Sequence, residues 1–409
     1  MDLRPLPLTA DPTAQPGVLD RLADAVAGRG PLLLPHASGE DTGLAGEDGA
    51  GETATLDREA VPAGGGIAVG TSGSTGAAKR AVLPGDALVA SADATHARLG
   101  GPGQWLLALP AHHIAGLQVL LRSLRVDQTP AVVPPGSFTP EVFVAGVETM
   151  TATRRYASLV PTQLVRILDD DAARRAARSL DAILVGGSQV RPALLESAHA
   201  HGLAVVVTYG MSETAGGCVY DGVPLDGVHL RLERGRVHLA GAVLSSGYLV
   251  RRPESPFVEH GGLRWFRTGD MGHIDEAGRL VVAGRIDDVV VSGGLKVWPA
   301  EVERALAAHL PGGCDLAVVG VPDPEWGQRV AVVVEYGETA PTPNLLTDLL
   351  DDAKRLLPAH ARPRLARLVR EIPRLGPGKP DRTRLTSMLM EMESESEWDD
   401  ESVTVHEEG

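Results

Sequence analysis

Short apolar runs alternate with amphipathic segments over the middle of the chain, between residues 66 and 227. Runs of this length fit buried strands, and the segments between them place apolar residues at helical spacing. Strands are predicted at residues 105–109, 131–133, 182–185 and 204–208. Helices are predicted at residues 116–124, 140–147, 161–169 and 192–201. Strands that alternate with helices indicate a layered α/β domain.

After Gly227 the pattern changes to short strands separated by turns, at residues 228–232, 237–239, 263–266, 273–275 and 279–283. A second change comes at residues 284–288. Beyond it, helices are predicted at 299–308 and 345–357, and strands at 316–321, 330–335 and 363–369. This mixture indicates a small α+β domain.

Residues 18–26 predict a helix near the N-terminus, and residues 38–66, which are rich in Gly, Asp, Glu and Thr, predict a long loop. Residues 391–409 lack an apolar period and predict a disordered acidic tail. We therefore predict an N-terminal domain over 1–284, a C-terminal domain over 285–390 and a tail over 391–409.

The composition supports more than one folded domain. A chain of 409 residues exceeds one ordinary hydrophobic core, and its 43% hydrophobic and 22% charged residues are globular values. The net charge is −15, but the predicted tail contributes nine acidic residues and no Lys or Arg. The rest of the chain is only mildly acidic, which argues against nucleic acid as a partner.

The two cysteines, Cys218 and Cys314, are too few for a disulfide framework, and no Cys/His spacing predicts a zinc site. Residues 1–8 lack the apolar core of a signal peptide. No run reaches the roughly 18 apolar residues that a membrane span needs. We expect a soluble, cytoplasmic protein without membrane insertion. The oligomeric state stays open, with a homo-oligomer among the alternatives.

A loop rich in glycine and hydroxyl side chains follows the apolar residues 66–70. Glycines let the backbone approach a phosphate, and successive N–H groups can form an anion nest. The spacing is not that of a Walker P-loop, and the cluster alone also fits a flexible surface loop. The residues expected to bind phosphate are Thr71, Ser72, Gly73, Ser74, Thr75, Gly76 and Lys79.

Five further short motifs follow in order, none of them specific alone. They are Val-Gly-Gly-Ser at 185–188, Thr-Tyr-Gly-Met-Ser-Glu-Thr at 208–214, Phe-Arg-Thr-Gly-Asp at 266–270, Gly-Arg-Ile-Asp-Asp-Val-Val-Val-Ser-Gly-Gly at 284–294 and Pro-Arg-Leu-Gly-Pro-Gly-Lys at 373–379. Together with the glycine-rich loop, they resemble the adenylate-forming acyl- and aryl-CoA ligase superfamily, from about residue 69 to residue 382. The resemblance implies an α/β adenylation domain, a small C-terminal domain that rotates about a hinge, and the use of ATP, Mg²⁺ and coenzyme A.

The residue types fit that chemistry. A carboxylate is a poor acyl donor at neutral pH because its oxygen is a poor leaving group. Attack on the α-phosphate of ATP gives an acyl-adenylate, from which a thiol can displace AMP. Such a site needs donors to phosphate, a carboxylate for the metal, a slot for adenine and an acceptor for the ribose hydroxyls.

The resemblance implies a role for each motif residue in ATP binding. Tyr209 stacks on adenine, Ser212 meets the α-phosphate, Glu213 holds Mg²⁺, and Asp270 binds the ribose with help from Arg285. The backbone around the nucleotide comes from Gly186, Gly187, Ser188, Gly210 and Met211. Taken alone, Tyr209 also fits a core aromatic at a strand end, and Glu213 also fits a carboxylate at a helix N-terminus.

The resemblance also implies that Lys379 stabilises charge during adenylation, although a lysine in a Gly/Pro loop is ordinarily solvated. Asp287 is the implied hinge residue, and it also fits a turn. Rotation would bring Ser292, Gly293 and Gly294 to the channel for the pantetheine arm. The sequence departs from the family pattern at Pro377 and Ala78, which removes no charged group.

The acid substrate is indicated by residues 110–122. His113 and Arg122 are nine residues apart, on roughly one side of a helix but more than two turns from each other. From the residues alone, Arg122 also fits an arginine that extends to solvent. However, the stretch is similar to one in the o-succinylbenzoate–CoA ligases of menaquinone biosynthesis, in particular the compact actinobacterial type. Their substrate is a dicarboxylate, so a cation can pair its second carboxylate.

Three alternatives remain open from the sequence. The chain also fits another aryl- or acyl-CoA ligase, or a stand-alone adenylation enzyme that loads a carrier protein. An alternative of a different class is a non-catalytic nucleotide-binding protein that acts by interaction.

Overall fold

The computed structural model describes residues 2–40, 56–71, 79–311, 314–336, 342–375, 379–395 and 403–404. Within these residues the helices are α1 (Val18–Val26), α2 (Gly85–Arg98), α3 (Ile114–Arg125), α4 (Pro140–Glu148), α5 (Pro161–Leu168), α6 (Asp171–Ala177), α7 (Pro192–Ala200), α8 (Pro299–Ala307), α9 (Leu345–Leu356) and α10 (Arg382–Glu395).

Seventeen strands lie within the described residues of the N-terminal part, up to residue 285. They are β1 (Leu3–Leu8), β2 (Leu32–Ala37), β3 (Gly66–Gly70), β4 (Arg80–Leu83), β5 (Gln104–Leu107), β6 (Ala131–Val132), β7 (Arg155–Leu159), β8 (Ala182–Val185), β9 (Val205–Met211), β10 (Gly216–Tyr220), β11 (Val223–Pro224), β12 (Val228–Glu233), β13 (Arg236–Gly241), β14 (Gly247–Tyr248), β15 (Phe257–His260), β16 (Leu263–Ile274) and β17 (Leu280–Arg285).

The C-terminal part contributes shorter elements and two long strands. They are β18 (Val290–Ser292), β19 (Leu295–Val297), β20 (Asp315–Asp323), β21 (Gly327–Glu335), β22 (Leu365–Val369), β23 (Arg374–Leu375), β24 (Lys379–Pro380) and β25 (Val403–Thr404).

A seven-stranded sheet in the order β11-β10-β9-β8-β7-β5-β6 organises the N-terminal part. Strands β6, β5, β7, β8 and β9 are parallel, and β10 and β11 continue the sheet antiparallel. β8 is buried over its whole length, which explains its unbroken apolar sequence. The carboxyl ends of parallel strands meet at one edge, where open α/β sheets bind ligands. The motifs at 185–188 and 208–214 lie at this edge because they follow β8 and end β9.

Two further sheets complete the N-terminal part. One has the order β1-β2-β3-β4-β14, so that β3 and β4 flank the glycine-rich loop. The other is antiparallel, with the order β12-β13-β16-β15 and β17 paired to β16. This pairing sets Asp270 opposite Arg285.

The C-terminal part forms a sheet in the order β19-β18-β21-β22-β25, with β20 paired to β21. Lys379 opens the second strand of the separate β23–β24 hairpin. The buried apolar clusters also divide along the chain, because those of the N-terminal part end at Leu280 and those of the C-terminal part begin at Val290. The division is consistent with the predicted change at residues 284–288. The predicted fold class, a layered α/β part followed by a small α+β part, is confirmed.

Some elements differ from the prediction. Residues 263–275 were expected to hold two strands and form one, β16, whose middle buries the polar side chains of Thr268 and Asp270. The helix α2 was not predicted, because it buries Ser91, Thr95 and His96 among small residues and so lacks a clear apolar stripe. The first five residues of the predicted disordered tail are helical, since α10 runs to Glu395.

In the part of the chain that the structure describes, no helix combines the length and the hydropathy needed to cross a membrane.

Candidate functional site

The site lies where β9 ends. Tyr209, Gly210 and Met211 are its last residues, and a 3-10 turn over Ser212–Thr214 follows. A Cβ on Gly210 would lie 2.1 Å from the carbonyl oxygen of Gly216, so only glycine fits there. The chain therefore reverses tightly into β10, and the turn holds Ser212 and Glu213 at the sheet edge.

The predicted adenine side is formed by close backbone packing. A Cβ on Gly186 would lie 2.4 Å from Oγ1 of Thr208, and Gly187 has a φ of 85°, in the left-handed region. These two glycines and the partly exposed Ser188 therefore lie beside the strand end that carries Tyr209. The structure brings these four predicted residues together.

The predicted ribose residues form a connected network. The Tyr209 hydroxyl donates to Oδ2 of Asp270 at 2.7 Å, and Nη1 of Arg285 lies 3.4 Å from Oδ1 of the same carboxylate. Burial, together with the Asp270 carboxylate, raises the pKa of Tyr209 well above its usual value, so its hydroxyl stays a donor. Asp270 is 7% exposed, and its carboxylate has a partner on each side.

The predicted metal ligand is a buried carboxylate held by a tyrosine. The Tyr248 hydroxyl donates to Oε1 of Glu213 at 2.6 Å. Burial raises the pKa of Glu213, and the hydrogen bond from Tyr248 and the charges of Arg285 and Lys79 oppose that rise. The sequence analysis missed Tyr248, because nothing in the sequence places residue 248 beside residue 213.

The described ends of the glycine-rich loop, Thr71 and Lys79, lie beside this site, next to β3 and β4 in the neighbouring sheet. Oγ of Ser212 donates to the carbonyl oxygen of Gly70 at 2.8 Å, and the N–H of Thr71 donates to the carbonyl oxygen of Lys79 at 2.8 Å. Burial and the nearby Arg252 lower the pKa of Lys79, which also faces the charge of Glu213. The predicted phosphate-binding residues Ser72, Gly73, Ser74, Thr75 and Gly76 lie outside the described residues.

Lys379, in the C-terminal part, is close enough to this site to be influenced by its charges. Burial, followed by the charge of Arg285, lowers its pKa, while Asp288 and Asp270 oppose that change. The side chain is half-buried. Its electrostatic neighbours therefore include both of the charged residues at the predicted ribose position. Pro377 lies outside the described residues.

The predicted hinge is a 3-10 turn over Ile286–Asp288. Asp287 accepts from Nη2 of Arg285 at 3.3 Å, whereas Asp288 lies 3.4 Å from Nε of Arg382. Arg382 also donates to Glu303 at 2.7 Å, within the C-terminal part. The two adjacent carboxylates therefore contact different elements, Asp287 the end of β17 and Asp288 the start of α10.

The predicted channel residues lie in the C-terminal sheet, at the end of β18 and in the turn that follows it. Ser292 is paired with Gly327, and the φ of Gly293 is 57°, with a Cβ position 2.8 Å from the Trp326 ring. Gly294, with a φ of 76°, completes the tip between β18 and β19. This tip is held by the C-terminal sheet, not by the strands that carry the nucleotide motifs.

The two predicted acid-binding residues lie at the two ends of α3. His113 is the N-cap residue, and its ring centroid is 4.3 Å from that of His112. Burial and His112 lower the pKa of His113, which favours the neutral ring. Arg122 is nine residues further along, about 13 Å by helical rise. The two side chains are therefore not brought together at one point.

Arg122 does not extend to solvent, so that interpretation is wrong. The side chain is 3% exposed, its Nη2 lies 3.4 Å from the Tyr220 hydroxyl, and its guanidinium lies 4.7 Å from the centroid of the Trp105 ring. Burial lowers its pKa. Among the described residues no carboxylate pairs with it, and its buried Nε has no hydrogen-bond partner.

Comparison with known proteins adds to this geometry. A family model described as AMP-binding enzyme matches residues 69–246, and one described as AMP-binding enzyme C-terminal domain matches residues 301–379. A probable 2-succinylbenzoate–CoA ligase from Mycobacterium tuberculosis is 46% identical over 303 residues, which span 73% of this chain and 78% of that protein. The chain belongs to the AMP-binding enzyme family. The predicted superfamily is confirmed.

Further similarities of this AMP-binding enzyme are found in both sequence and structure. A 2-succinylbenzoate–CoA ligase from Salmonella typhimurium is 36% identical over 264 residues, covering 63% of this chain and 54% of that protein. A solved structure of a variant of Escherichia coli MenE with bound OSB-AMS has a TM-score of 0.70 at 25% identity, covering 95% of this chain and 87% of the other. A structure of ATP-bound MatB from Rhodopseudomonas palustris has a TM-score of 0.70 at 27% identity, covering 83% and 70%. This AMP-binding enzyme is thus similar to CoA ligases both in sequence and in fold.

Proposed function

We propose that this AMP-binding enzyme activates o-succinylbenzoate with ATP, as an acyl-adenylate, and then transfers the acyl group to CoA. AMP and pyrophosphate are released. The observation that carries the choice of acid is the buried guanidinium of Arg122, which no described carboxylate neutralises. A buried charge without a partner is costly, so a site of this kind favours a substrate that brings the missing carboxylate.

The acid would lie along α3 and β10. A Cβ on Gly216 would lie 3.4 Å from Cγ of Gln118 and 3.7 Å from Cγ1 of Ile114, so helix and strand begin in close contact near Glu213. Towards the other end of β10, Tyr220 reaches Arg122. A dicarboxylate aligned with this pair of elements presents one carboxylate to the nucleotide and the other to Arg122. His113, neutral at the start of α3, would line the entrance.

The first half-reaction forms a bond between a carboxylate oxygen and the α-phosphorus of ATP, while the bond from that phosphorus to the bridging oxygen of pyrophosphate breaks. Ser212 would donate to the α-phosphate, and Thr71 and Lys79 would hold the leaving phosphates. Lys379 would stabilise the negative charge that gathers on the carboxylate and α-phosphate. Tyr209, Asp270 and Arg285 would hold the nucleoside.

Glu213 fits Mg²⁺. No cluster of three or more His, Cys, Asp or Glu in the described part of the chain could hold a metal by itself. Mg²⁺ suits this arrangement because proteins usually bind it through one or two carboxylates together with substrate phosphates and water. When bound, the ion would neutralise phosphate charge. Tyr248 would orient the Glu213 carboxylate for it.

The second half-reaction forms a bond between the CoA sulfur and the acyl carbon and breaks the bond from that carbon to the AMP oxygen. We propose that the domain over residues 285–390 rotates about Asp287, relative to the domain over residues 1–284, between the two steps. The contacts of Asp287 with Arg285, at the end of β17, and of Asp288 with Arg382, in α10, support a hinge at this point. Ser292, Gly293 and Gly294 would then line the channel for pantetheine.

Since ATP and CoA are intracellular co-substrates, we place the enzyme in the cytoplasm.

The proposal is tested by AMP release with o-succinylbenzoate, benzoate and medium-chain fatty acids, for the wild type and Arg122→Met. We expect the wild type to prefer o-succinylbenzoate, and the variant to lose about 100-fold in kcat/KM for it while its low rate with benzoate stays unchanged. Methionine fills similar volume without a charge, so the variant is expected to fold. Preference of the wild type for a monoacid would contradict the assignment of the acid. If a carrier protein were acylated faster than free CoA, the chain would instead be a stand-alone adenylation enzyme that loads a carrier protein.

A further inference from the structure

Arg191 connects the N-terminal part to the C-terminal part at a point outside the catalytic residues. It precedes α7 and lies three positions after Ser188, in the loop that borders the predicted adenine site. Its Nη1 donates to the carbonyl oxygen of Cys314 at 3.1 Å and lies 4.0 Å from Oδ1 of Asp315. One side chain thus reaches from the nucleotide edge of the central sheet to the first residue of β20.

The contact continues to the hairpin that carries Lys379. Oδ2 of Asp315 accepts from Nη2 of Arg374 at 2.8 Å, and the same nitrogen lies 3.1 Å from Oε2 of Glu335. Glu335 also accepts from the N–H of Ile372 at 2.8 Å, so the base of the hairpin is fixed on both sides. Arg374 opens β23, whose other residue pairs with Lys379. Charged contacts therefore lead from the adenine loop to Arg374, and the strand pairing of Leu375 continues the connection to Lys379.

We propose that Arg191, Asp315 and Arg374 form a latch between the two parts, which holds Lys379 over the nucleotide for adenylate formation and opens before thioester formation. The inference rests on the proposed two-step reaction and adds residues that position Lys379 without touching the substrate. Arg191 and Asp315 belong to different parts, so their contact exists only in this relative orientation. Arg374 and Asp315 belong to the same part, so their contact moves with the hairpin.

The exposure of the latch suits a contact that must form and break in each cycle. The side chains of Arg191 and Asp315 are 33% and 32% exposed. Partly exposed ion pairs contribute little to folding stability, and water can replace their hydrogen bonds on opening. The ratio of the two orientations is nevertheless sensitive to the latch. A change of about 1 kcal/mol in their relative free energy shifts that ratio by roughly fivefold. Loss of the latch is therefore expected to change the reaction and not the fold.

The test separates the two half-reactions in Arg191→Ala, with Arg175→Ala as control, since Arg175 is an exposed arginine on α6 in the same part. Adenylation is measured as acid-dependent exchange of pyrophosphate into ATP, and thioester formation is measured from pre-made acyl-adenylate and CoA. We expect Arg191→Ala to lose roughly fivefold or more in adenylation, with thioester formation unchanged or faster. Arg191→Lys is expected to restore part of the adenylation rate, and Arg175→Ala to match the wild type in both steps.

An equal loss in both steps, or no loss in adenylation, would overturn the latch. A second readout is the double variant Arg191→Ala with Asp315→Ala, which should lose no more adenylation than the stronger of the two single variants. Additive losses would show that the two residues act separately. If the wild type exchanges no pyrophosphate with any acid, the proposed function itself fails, which differs from an exchange that Arg191→Ala leaves unaffected.

Discussion

At the scale of single residues, the site joins side chains that are distant in sequence through short hydrogen bonds. Tyr209 and Asp270 meet at 2.7 Å, and Tyr248 and Glu213 meet at 2.6 Å. The motifs indicated Tyr209, Glu213 and Asp270 because each occurs in an ordered set of family motifs. Tyr248 carried no such signal, since its position depends on the pairing of the two-residue strand β14 with β4.

Tyr248→Phe tests whether the hydroxyl orients Glu213. Removal of this donor leaves a buried carboxylate with one hydrogen bond fewer, and changes of this kind around a metal ligand usually weaken metal affinity about 10-fold or more. We expect a higher Mg²⁺ concentration for half-maximal adenylation and weaker binding of Mn²⁺, measured by electron paramagnetic resonance with ATP present. Tyr336→Phe, which removes a hydroxyl in the C-terminal part, is the control. An unchanged metal dependence would contradict the role of Tyr248.

At the scale of helices and strands, the prediction succeeded where apolar periodicity was regular. The helix α1 and the strand β8 have the predicted bounds, and the proline-led helices α5, α7 and α8 begin at the predicted residues. It failed where polar side chains are buried, as in α2 and the middle of β16. Such residues are stabilised by partners from other elements, for example Ser91 by the carbonyl oxygen of Ala215, and a local sequence pattern does not contain those partners.

We expect the buried His96 on α2 to make the stability of the protein depend on pH. Its ring nitrogen accepts from Nε1 of Trp105 at 3.2 Å, and burial together with the charge of Arg122 lowers its pKa from 6.5 to about 4. Between these two values the unfolded chain binds a proton that the folded protein does not, so stability falls as pH decreases from 6.5 towards 4. At about 1.4 kcal/mol per pKa unit, this group contributes a loss of up to about 3 kcal/mol.

Urea unfolding at pH 7, 6 and 5 measures this effect. His96→Gln keeps an acceptor for Trp105 and does not titrate in this range, so we expect its stability to fall less steeply than that of the wild type. The carboxylates are common to both proteins and cancel in the comparison. Parallel losses in the two proteins would show that His96 does not cause the pH dependence.

At the scale of the whole molecule, each of the two parts has its own apolar clusters. The fold and the order of motifs could be predicted because each part carries its own pattern. Their relative orientation could not be predicted, since it depends on contacts such as Arg191 with Cys314 and on the charges around Lys379. In the described orientation Lys379 is influenced by the charges of Asp270 and Arg285, which is the arrangement that we propose for adenylate formation.

Lys379→Ala tests whether Lys379 acts only in adenylate formation, the step that we assign to this orientation. Lys379 lies in the β23–β24 hairpin, whereas Ser292, Gly293 and Gly294 lie at the tip between β18 and β19, so the two predicted functions belong to different elements. We expect the variant to lose adenylation by about 100-fold or more, the magnitude typical of a group that stabilises developing charge. Thioester formation from pre-made acyl-adenylate should stay within a few-fold of the wild type, because we propose that this step uses the other orientation. Lys354→Ala, which removes a lysine exposed on α9, should leave both rates unchanged. If Lys379→Ala slowed both steps alike, one orientation would have to serve both half-reactions. That outcome would contradict the proposed rotation about Asp287.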